Sequence, residues 1–144
     1  METTDLRLQH DVIGQLAVEL IGHVARPQSD FDAARVTHLL AKLNGLLRVH
    51  FAQEDCLLYP AMIAGDSLEA AHLAYQYQLE MGGLAQQFEA YMRRWSVSAA
   101  INATFEDFCA ETRTILAALD ARIDRENEIL YPAADNLFAT RTAA

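Results

Sequence analysis

The chain has 144 residues and a net charge of −9, because 20 acidic residues stand against 11 basic ones. Hydrophobic residues make up 52% and charged residues 22%, which is typical of one globular domain over residues 1–144 and not of a disordered chain. The chain contains no basic stripe and no apolar run of about 18 residues, so we expect neither nucleic acid nor a membrane as a partner. The polar, acidic start and the two widely separated cysteines favour a cytoplasmic protein with reduced thiols.

Apolar residues recur with a helical period along most of the chain. They predict helices over residues 4–24, 30–64, 67–95 and 98–131, followed by a short C-terminal tail. Pro27 and Gly65 mark two of the breaks, and Ser67 is the expected N-cap of the third helix. Long amphipathic helices joined by short loops favour an all-α fold, an up-down-up-down antiparallel four-helix bundle. A longer coiled coil would need sustained heptads without these breaks.

Five polar residues interrupt the apolar stripes of the predicted helices. His10 lies on the stripe of the first helix, His50 and Glu54 on that of the second, and Arg122 and Glu126 on that of the fourth. A buried carboxylate without a partner costs several kcal/mol, so these groups need a compensating charge or a metal. His and Glu four residues apart on one helix face is a metal-ligand spacing, because side chains one turn apart converge.

The chain also contains an internal repeat, and its helices align the polar residues. At about 1.5 Å per residue, His10, His50, Glu54 and a residue of the third helix near Tyr77 lie at matching heights on neighbouring antiparallel helices. Tyrosine and proline follow the carboxylate in both copies, and we interpret the two tyrosines as packing residues at helix ends. The copies are His50-x3-Glu54-x4-Tyr59-Pro60 and Arg122-x3-Glu126-x4-Tyr131-Pro132.

On these residues the chain resembles the haemerythrin-like (HHE cation-binding) family over nearly its whole length. The motifs that carry the resemblance are Leu8-Gln9-His10-Asp11 and the two copies of the repeat. The resemblance implies two irons held between the helices by five histidines and two bridging carboxylates. By position, His10 and His50 match the histidines of one iron, and Glu54 and Glu126 match the bridging carboxylates.

The departures from the family pattern concern the second iron. The third helix carries Glu80 and Met81, with Tyr77 one turn earlier, where the family usually places histidine, and Arg122 replaces the histidine before Glu126. We expect Arg122 to take the place of the second metal and to pair with a carboxylate; the alternative is an arginine that reaches solvent from the stripe edge. Glu80 is then an additional ligand or an arginine-paired acid, and Tyr77 and Met81 belong to the core or line the site.

Two classes of function follow from the reduced donor set. Two histidines with one or two carboxylates suit a single Fe(II), Mn(II) or Zn(II) ion. The resemblance implies a non-haem iron protein of the stress-response type, without enzyme activity, that binds or senses O₂, NO or peroxide, as a monomer or homodimer. The alternative is a metal-free regulatory or protein-interaction module in which Arg122 neutralises the carboxylates. A di-iron redox enzyme would need the second metal, against which Arg122 argues.

The other candidate polar residues are expected to have plainer roles. His23, His38 and His72 are interpreted as surface or loop histidines. Asp11, next to His10, is interpreted as a surface acid or as an outer partner of a ligating histidine.

Overall fold

Helices make up almost all of the described chain. A computed structural model describes residues 2–143, and the side chains of residues 2–140. Within these residues there is no strand, so the all-α fold class is confirmed. The helices are α1 (Thr4–Val24), α2 (Ala33–Gln53), α3 (Tyr59–Ile63), α4 (Leu68–Trp95), α5 (Ser98–Ala103), α6 (Phe105–Arg125) and α7 (Tyr131–Ala143). A 3₁₀ turn occupies Gln28–Asp30, and two π-helical turns occupy Glu54–Leu58 and Glu126–Leu130.

Side-chain caps define two of the helix starts. The Asp32 carboxylate accepts a hydrogen bond from the backbone N–H of Arg35 at 3.0 Å and so begins α2. The Ser67 hydroxyl accepts one from the backbone N–H of Ala70 at 3.1 Å, which confirms Ser67 as the N-cap of α4. Each cap satisfies an N–H that the helix leaves free and contributes about 1 kcal/mol.

Two apolar clusters fill the interior. The larger contains Ile13, Leu47, Trp95 and Leu119, and Trp95 meets the Phe108 ring edge-on at 5.3 Å. The smaller contains residues from α1, α3, α4 and α7 and from the ends of both π turns: Leu6, Leu58, Tyr59, Met62, Ala70, Ala74, Tyr77, Leu130, Tyr131, Ala134, Leu137 and Phe138. Five of the buried polar residues fall between members of the two clusters along the chain and form a polar layer with apolar side chains on both sides: His10, His50, Glu54, Arg122 and Glu126.

The C-terminal tail prediction is wrong, because α7 continues through Ala143. Pro132 does not end the helix. The Tyr131 N–H donates to the Glu126 carbonyl five residues back, which closes a widened π turn. The proline then lies in the first turn of a new helix, where its missing N–H is tolerated. Burial of Ala134 and Leu137 in the smaller cluster stabilises α7.

The other predicted boundaries differ in detail. The second helix does not run unbroken over residues 30–64, since α2 begins at Ala33 and the π turn separates it from α3. The extra residue of this π turn shifts the apolar face of the predicted second helix. Of the two leucines expected on that face, Leu58 is fully buried but Leu57 is 54% exposed. The predicted helix over 98–131 is interrupted at Thr104, whose backbone angles (φ −133°, ψ 56°) are not helical.

Among the described residues, no helix combines the length and the apolar character that crossing a bilayer requires.

Candidate metal centre

Four of the predicted site residues meet in the polar layer. His10 projects from α1, His50 from the last turn of α2, and Glu54 and Glu126 each begin a π turn. All four side chains are at most 3% exposed. A π turn widens the helix at its first residue, and such turns are frequent at functional sites, so both carboxylates stand where the helix geometry is locally altered.

Three donor atoms converge within this group. The His10 Nε2 atom lies 3.0 Å from His50 Nε2 and 2.9 Å from Glu126 Oε1, and His50 Nε2 lies 3.5 Å from the same oxygen. One ligand atom from each of these residues falls within 4.8 Å of the others. The structure therefore brings His10, His50 and Glu126 together as a group with metal-ligand chemistry.

Outer amide groups fix which nitrogen of each imidazole carries the proton. The His10 Nδ1–H donates to Asn127 Oδ1 at 2.8 Å, and the His50 Nδ1–H donates to Gln9 Oε1 at 2.7 Å. Gln9 is oriented in turn by its amide, which donates to Gln53 Oε1 at 2.7 Å. An amide oxygen only accepts, so both rings carry the proton on Nδ1 and direct Nε2 inward, as metal-binding histidines do.

Glu54 adjoins the three-atom group without joining it. Its Oε1 lies 3.5 Å from His50 Nε2 and has no hydrogen-bond partner among the described residues. Its Oε2 accepts a hydrogen bond from the Tyr131 hydroxyl at 2.9 Å. The role of Glu54 as a ligand stays a prediction, and its orphaned oxygen leaves a buried acceptor open to a cation.

Arg122 lies inside the protein and pairs with the other face of Glu126. It is 6% exposed, and its Nε donates to Glu126 Oε2 at 2.7 Å. Its Nη2 donates to the Tyr59 hydroxyl at 3.0 Å and to the Tyr77 carbonyl at 2.9 Å. The Glu126 carboxylate therefore bridges the histidine pair on one side and a fixed guanidinium cation on the other.

The third-helix candidates surround this guanidinium. Glu80 is half-exposed and accepts from Arg122 Nη1 at 3.5 Å and from Arg125 Nη1 at 2.7 Å, so it is an arginine-paired acid in this structure. The Arg122 guanidinium carbon stands 4.6 Å over the Tyr77 ring centroid. Tyr77 and Met81 are both buried, as predicted for core residues, and site lining by Met81 stays a prediction.

The two carboxylates of the site, Glu54 and Glu126, have pKa values shifted in opposite directions. Burial alone would raise the pKa of Glu126, but the Arg122 charge and the hydrogen bond that Arg122 donates hold that pKa well below its usual range. Burial and then the neighbouring Glu126 charge raise the pKa of Glu54 well above its usual range. Burial lowers the pKa of His50, against the opposite effect of Glu126. Glu126 is therefore ionised, and His50 is neutral at pH 7.

The residues fit a metal cation. With Nδ1 protonated and the ring neutral, His50 directs a lone pair at His10 Nε2, only 3.0 Å away, while Glu126 Oε1 adds a further acceptor. The unpartnered Glu54 Oε1 lies beside them. Acceptors facing acceptors in a buried layer are unfavourable unless a cation or a shared proton lies among them. Two imidazole nitrogens and a carboxylate are a donor set typical of non-haem Fe(II).

One part of this arrangement differs from the prediction. The Tyr131 hydroxyl, predicted to be a packing group, lies within 3.4 Å of His10, His50, Glu54 and Glu126 atoms. The signal for it was present, because tyrosine follows the carboxylate by five residues in both copies of the repeat, the spacing of one π turn.

The remaining histidines lie away from the three-atom group. His38 and His72 are exposed, as predicted. The surface assignment of His23 is wrong: it is 9% exposed, with an Nδ1 atom that has no partner among the described residues. Asp11 is exposed, and Asn127 is the outer partner of His10.

Comparison with known proteins gives a match at the level of a family. A family model described as the Hemerythrin HHE cation binding domain matches residues 1–134, a range that contains every candidate site residue. No curated protein and no solved structure matches the chain.

Proposed function

Because the chain belongs to the hemerythrin HHE cation-binding family, we propose that it holds one iron ion at His10, His50 and Glu126 and there binds or senses O₂, NO or peroxide. The observation that carries the proposal is the convergence of three buried donor atoms from these residues within 4.8 Å. The amide partners of both histidines support it, since they leave Nε2 free for a ligand bond.

The number of ions follows from Arg122. The family resemblance implies a second ion on the far side of the bridging carboxylates, where this chain places a guanidinium 2.7 Å from Glu126 Oε2. A cation there neutralises the carboxylate without coordination chemistry, and a second metal ion close to it would meet charge repulsion. This supports one ion per chain.

The surroundings favour a binding or sensing role over catalytic turnover. Apolar clusters on both sides of the polar layer limit access of water. His10 also borders a shallow surface hollow between α1 and α6, together with Gly14 and Asp120. An iron ion bound at these residues supplies a redox-active centre with open positions for a diatomic ligand, and Mn(II) and Zn(II) compete for the same donor set.

The proposal includes the architecture. We infer that α1, α2, α4 and α6 form an up-down-up-down four-helix bundle in a single domain. Contacts of α1 with α2 and α6, and of α4 with α2 and α6, support this arrangement. In such a bundle, side chains on facing helices build the metal site in the core.

A metal-free regulatory module is the second candidate. The ion pair between Arg122 and Glu126 favours it, as does the hydrogen bond from Tyr131 to Glu54, because both answer part of the buried charge without an ion. The unpartnered Glu54 Oε1 counts against it.

Metal content distinguishes the two candidates. The protein is loaded anaerobically with Fe(II), freed of excess metal by gel filtration and assayed for iron per chain. We expect one iron in the wild type and in the exposed-histidine control His72→Gln, and a loss of most iron in His10→Gln and His50→Gln. Addition of NO to the loaded protein, followed by electron paramagnetic resonance, tests ligand binding. An iron-free wild type contradicts the proposal, and two irons per chain contradict the role of Arg122.

A further inference from the structure

The Tyr131 hydroxyl lies at the centre of the donor atoms. Its oxygen is 2.9 Å from Glu54 Oε2, 3.2 Å from His10 Nε2, 3.4 Å from His50 Nε2 and 3.2 Å from Glu126 Oε1. A phenol has one proton to donate, and the shortest of these contacts, to Glu54, takes it. The hydroxyl oxygen is then packed against further electron-rich atoms that its single proton does not serve.

The other copy of the repeat shows what such a hydroxyl faces. Tyr59 stands five residues after Glu54, as Tyr131 stands five residues after Glu126, and both side chains are fully buried. The Tyr59 oxygen accepts a hydrogen bond from the Arg122 guanidinium at 3.0 Å, so that it faces a cation. By the internal symmetry of the repeat, the Tyr131 oxygen faces the histidine side of Glu126, where the proposed metal lies.

Neighbouring groups hold the Tyr131 ring in place. The His10 imidazole stacks on it with a centroid distance of 5.2 Å and an angle of 19° between the planes. The Arg7 guanidinium carbon lies 5.4 Å from its centroid. Arg7 is itself held by donation to the Asn127 carbonyl at 3.2 Å. The position of the hydroxyl oxygen is therefore set before any ion binds.

We propose that the Tyr131 oxygen is a fourth protein ligand of the metal ion, alongside His10, His50 and Glu126. This inference rests on the proposed function and adds a phenolate to its donor set. On coordination an O–metal bond would replace the O–H bond of Tyr131, and the Glu54 carboxylate, in its ionised form, would take the proton on Oε2, 2.9 Å away. The phenolate favours the ferric over the ferrous ion, because a harder, more highly charged cation binds an anionic oxygen more strongly.

The test compares three phenylalanine variants of the iron-loaded, oxidised protein. A phenolate bound to ferric iron gives a visible charge-transfer band and resonance-enhanced ring vibrations. We expect both signals in the wild type, their complete loss in Tyr131→Phe, and their retention in the repeat-matched Tyr59→Phe. Tyr91→Phe is the control for the loss of a buried hydroxyl elsewhere, because Tyr91 is buried and its hydroxyl shares a hydrogen bond with Thr112. The affinity for iron falls in Tyr131→Phe by at least about 10-fold.

The outcomes separate this inference from the function on which it rests. Iron bound to the wild type without tyrosinate signals, or signals that persist in Tyr131→Phe, overturns the ligand role of Tyr131 and leaves the metal site standing. A wild type without bound iron overturns both. Resonance Raman spectra of the loaded wild type alone decide the presence of a phenolate ligand even when Tyr131→Phe does not fold.

Discussion

Replacing Arg122 with methionine tests the buried cation most sharply. The substitution keeps a long flexible stem and removes the charge, so Glu126 Oε2 loses its partner at 2.7 Å and the Tyr59 hydroxyl and Tyr77 carbonyl lose their donor. Removing one member of a buried ion pair costs about 3–5 kcal/mol. We expect metal-free Arg122→Met to be less stable by about 3 kcal/mol.

Urea denaturation of the metal-free protein at neutral pH measures this loss. A matched control is Arg125→Met, three residues further along the same chain segment, whose side chain is 48% exposed and pairs with half-exposed Glu80. Exposed pairs contribute about 0–1 kcal/mol, so the control should lose less than that. Equal losses in the two variants, or a loss below about 1 kcal/mol in Arg122→Met, would refute the account of Arg122 as an essential buried cation.

Three further predictions concern the carboxylate, the outer amides and a second polar pair. Burial and the Glu126 charge raise the pKa of Glu54, so the folded protein favours the protonated carboxyl. The contribution of this carboxyl to stability is complete below its unfolded-state pKa and is lost as the pH rises through its folded-state pKa. Metal-free Glu54→Gln should therefore become more stable than the wild type as pH rises from about 4 to about 8, and parallel urea midpoints would speak against it. Gln9→Leu and Asn127→Leu should each weaken iron binding by about 10- to 100-fold in a chelator competition, and unchanged affinity in both would show that the amides do not orient the histidines. In the wild type the Tyr91 and Thr112 hydroxyl oxygens lie 2.6 Å apart. Tyr91→Phe leaves the buried Thr112 hydroxyl without this hydrogen bond and should lower the free energy of unfolding by about 1–3 kcal/mol. The double variant with Thr112→Val should recover much of that loss in urea denaturation, and fully additive losses would contradict this reading.

The helical period predicted much of the site, because it reports which residues share a buried face. His10, His50 and Glu126 interrupt apolar stripes, and the structure buries all of them in one layer. The same reasoning placed Arg122 on an inner face, where it is found. The family resemblance added the expectation of a metal, which neither burial nor spacing alone establishes.

The π turns account for the features that the sequence pattern does not predict. The pattern Glu-x4-Tyr-Pro looks like the end of a helix, because proline lacks an N–H and clashes with the preceding turn. In the structure each π turn is closed by a hydrogen bond between residues five apart, and the wider turn accommodates the proline that follows. Helix α7 therefore continues past Pro132. This local geometry also carries Tyr131 to the donor atoms. Pairing between side chains far apart in the sequence, such as Asn127 and His10, depends on side-chain reach, which spacing does not encode.

The central claim is that one metal ion lies among His10, His50 and Glu126. Anomalous diffraction at the iron edge from crystals of the iron-loaded protein tests it directly. We predict a single peak within bonding distance of His10 Nε2, His50 Nε2 and Glu126 Oε1, with the Arg122 guanidinium on the opposite side of the carboxylate. Two peaks bridged by Glu54 and Glu126, a peak elsewhere, or no peak in loaded crystals would contradict the account.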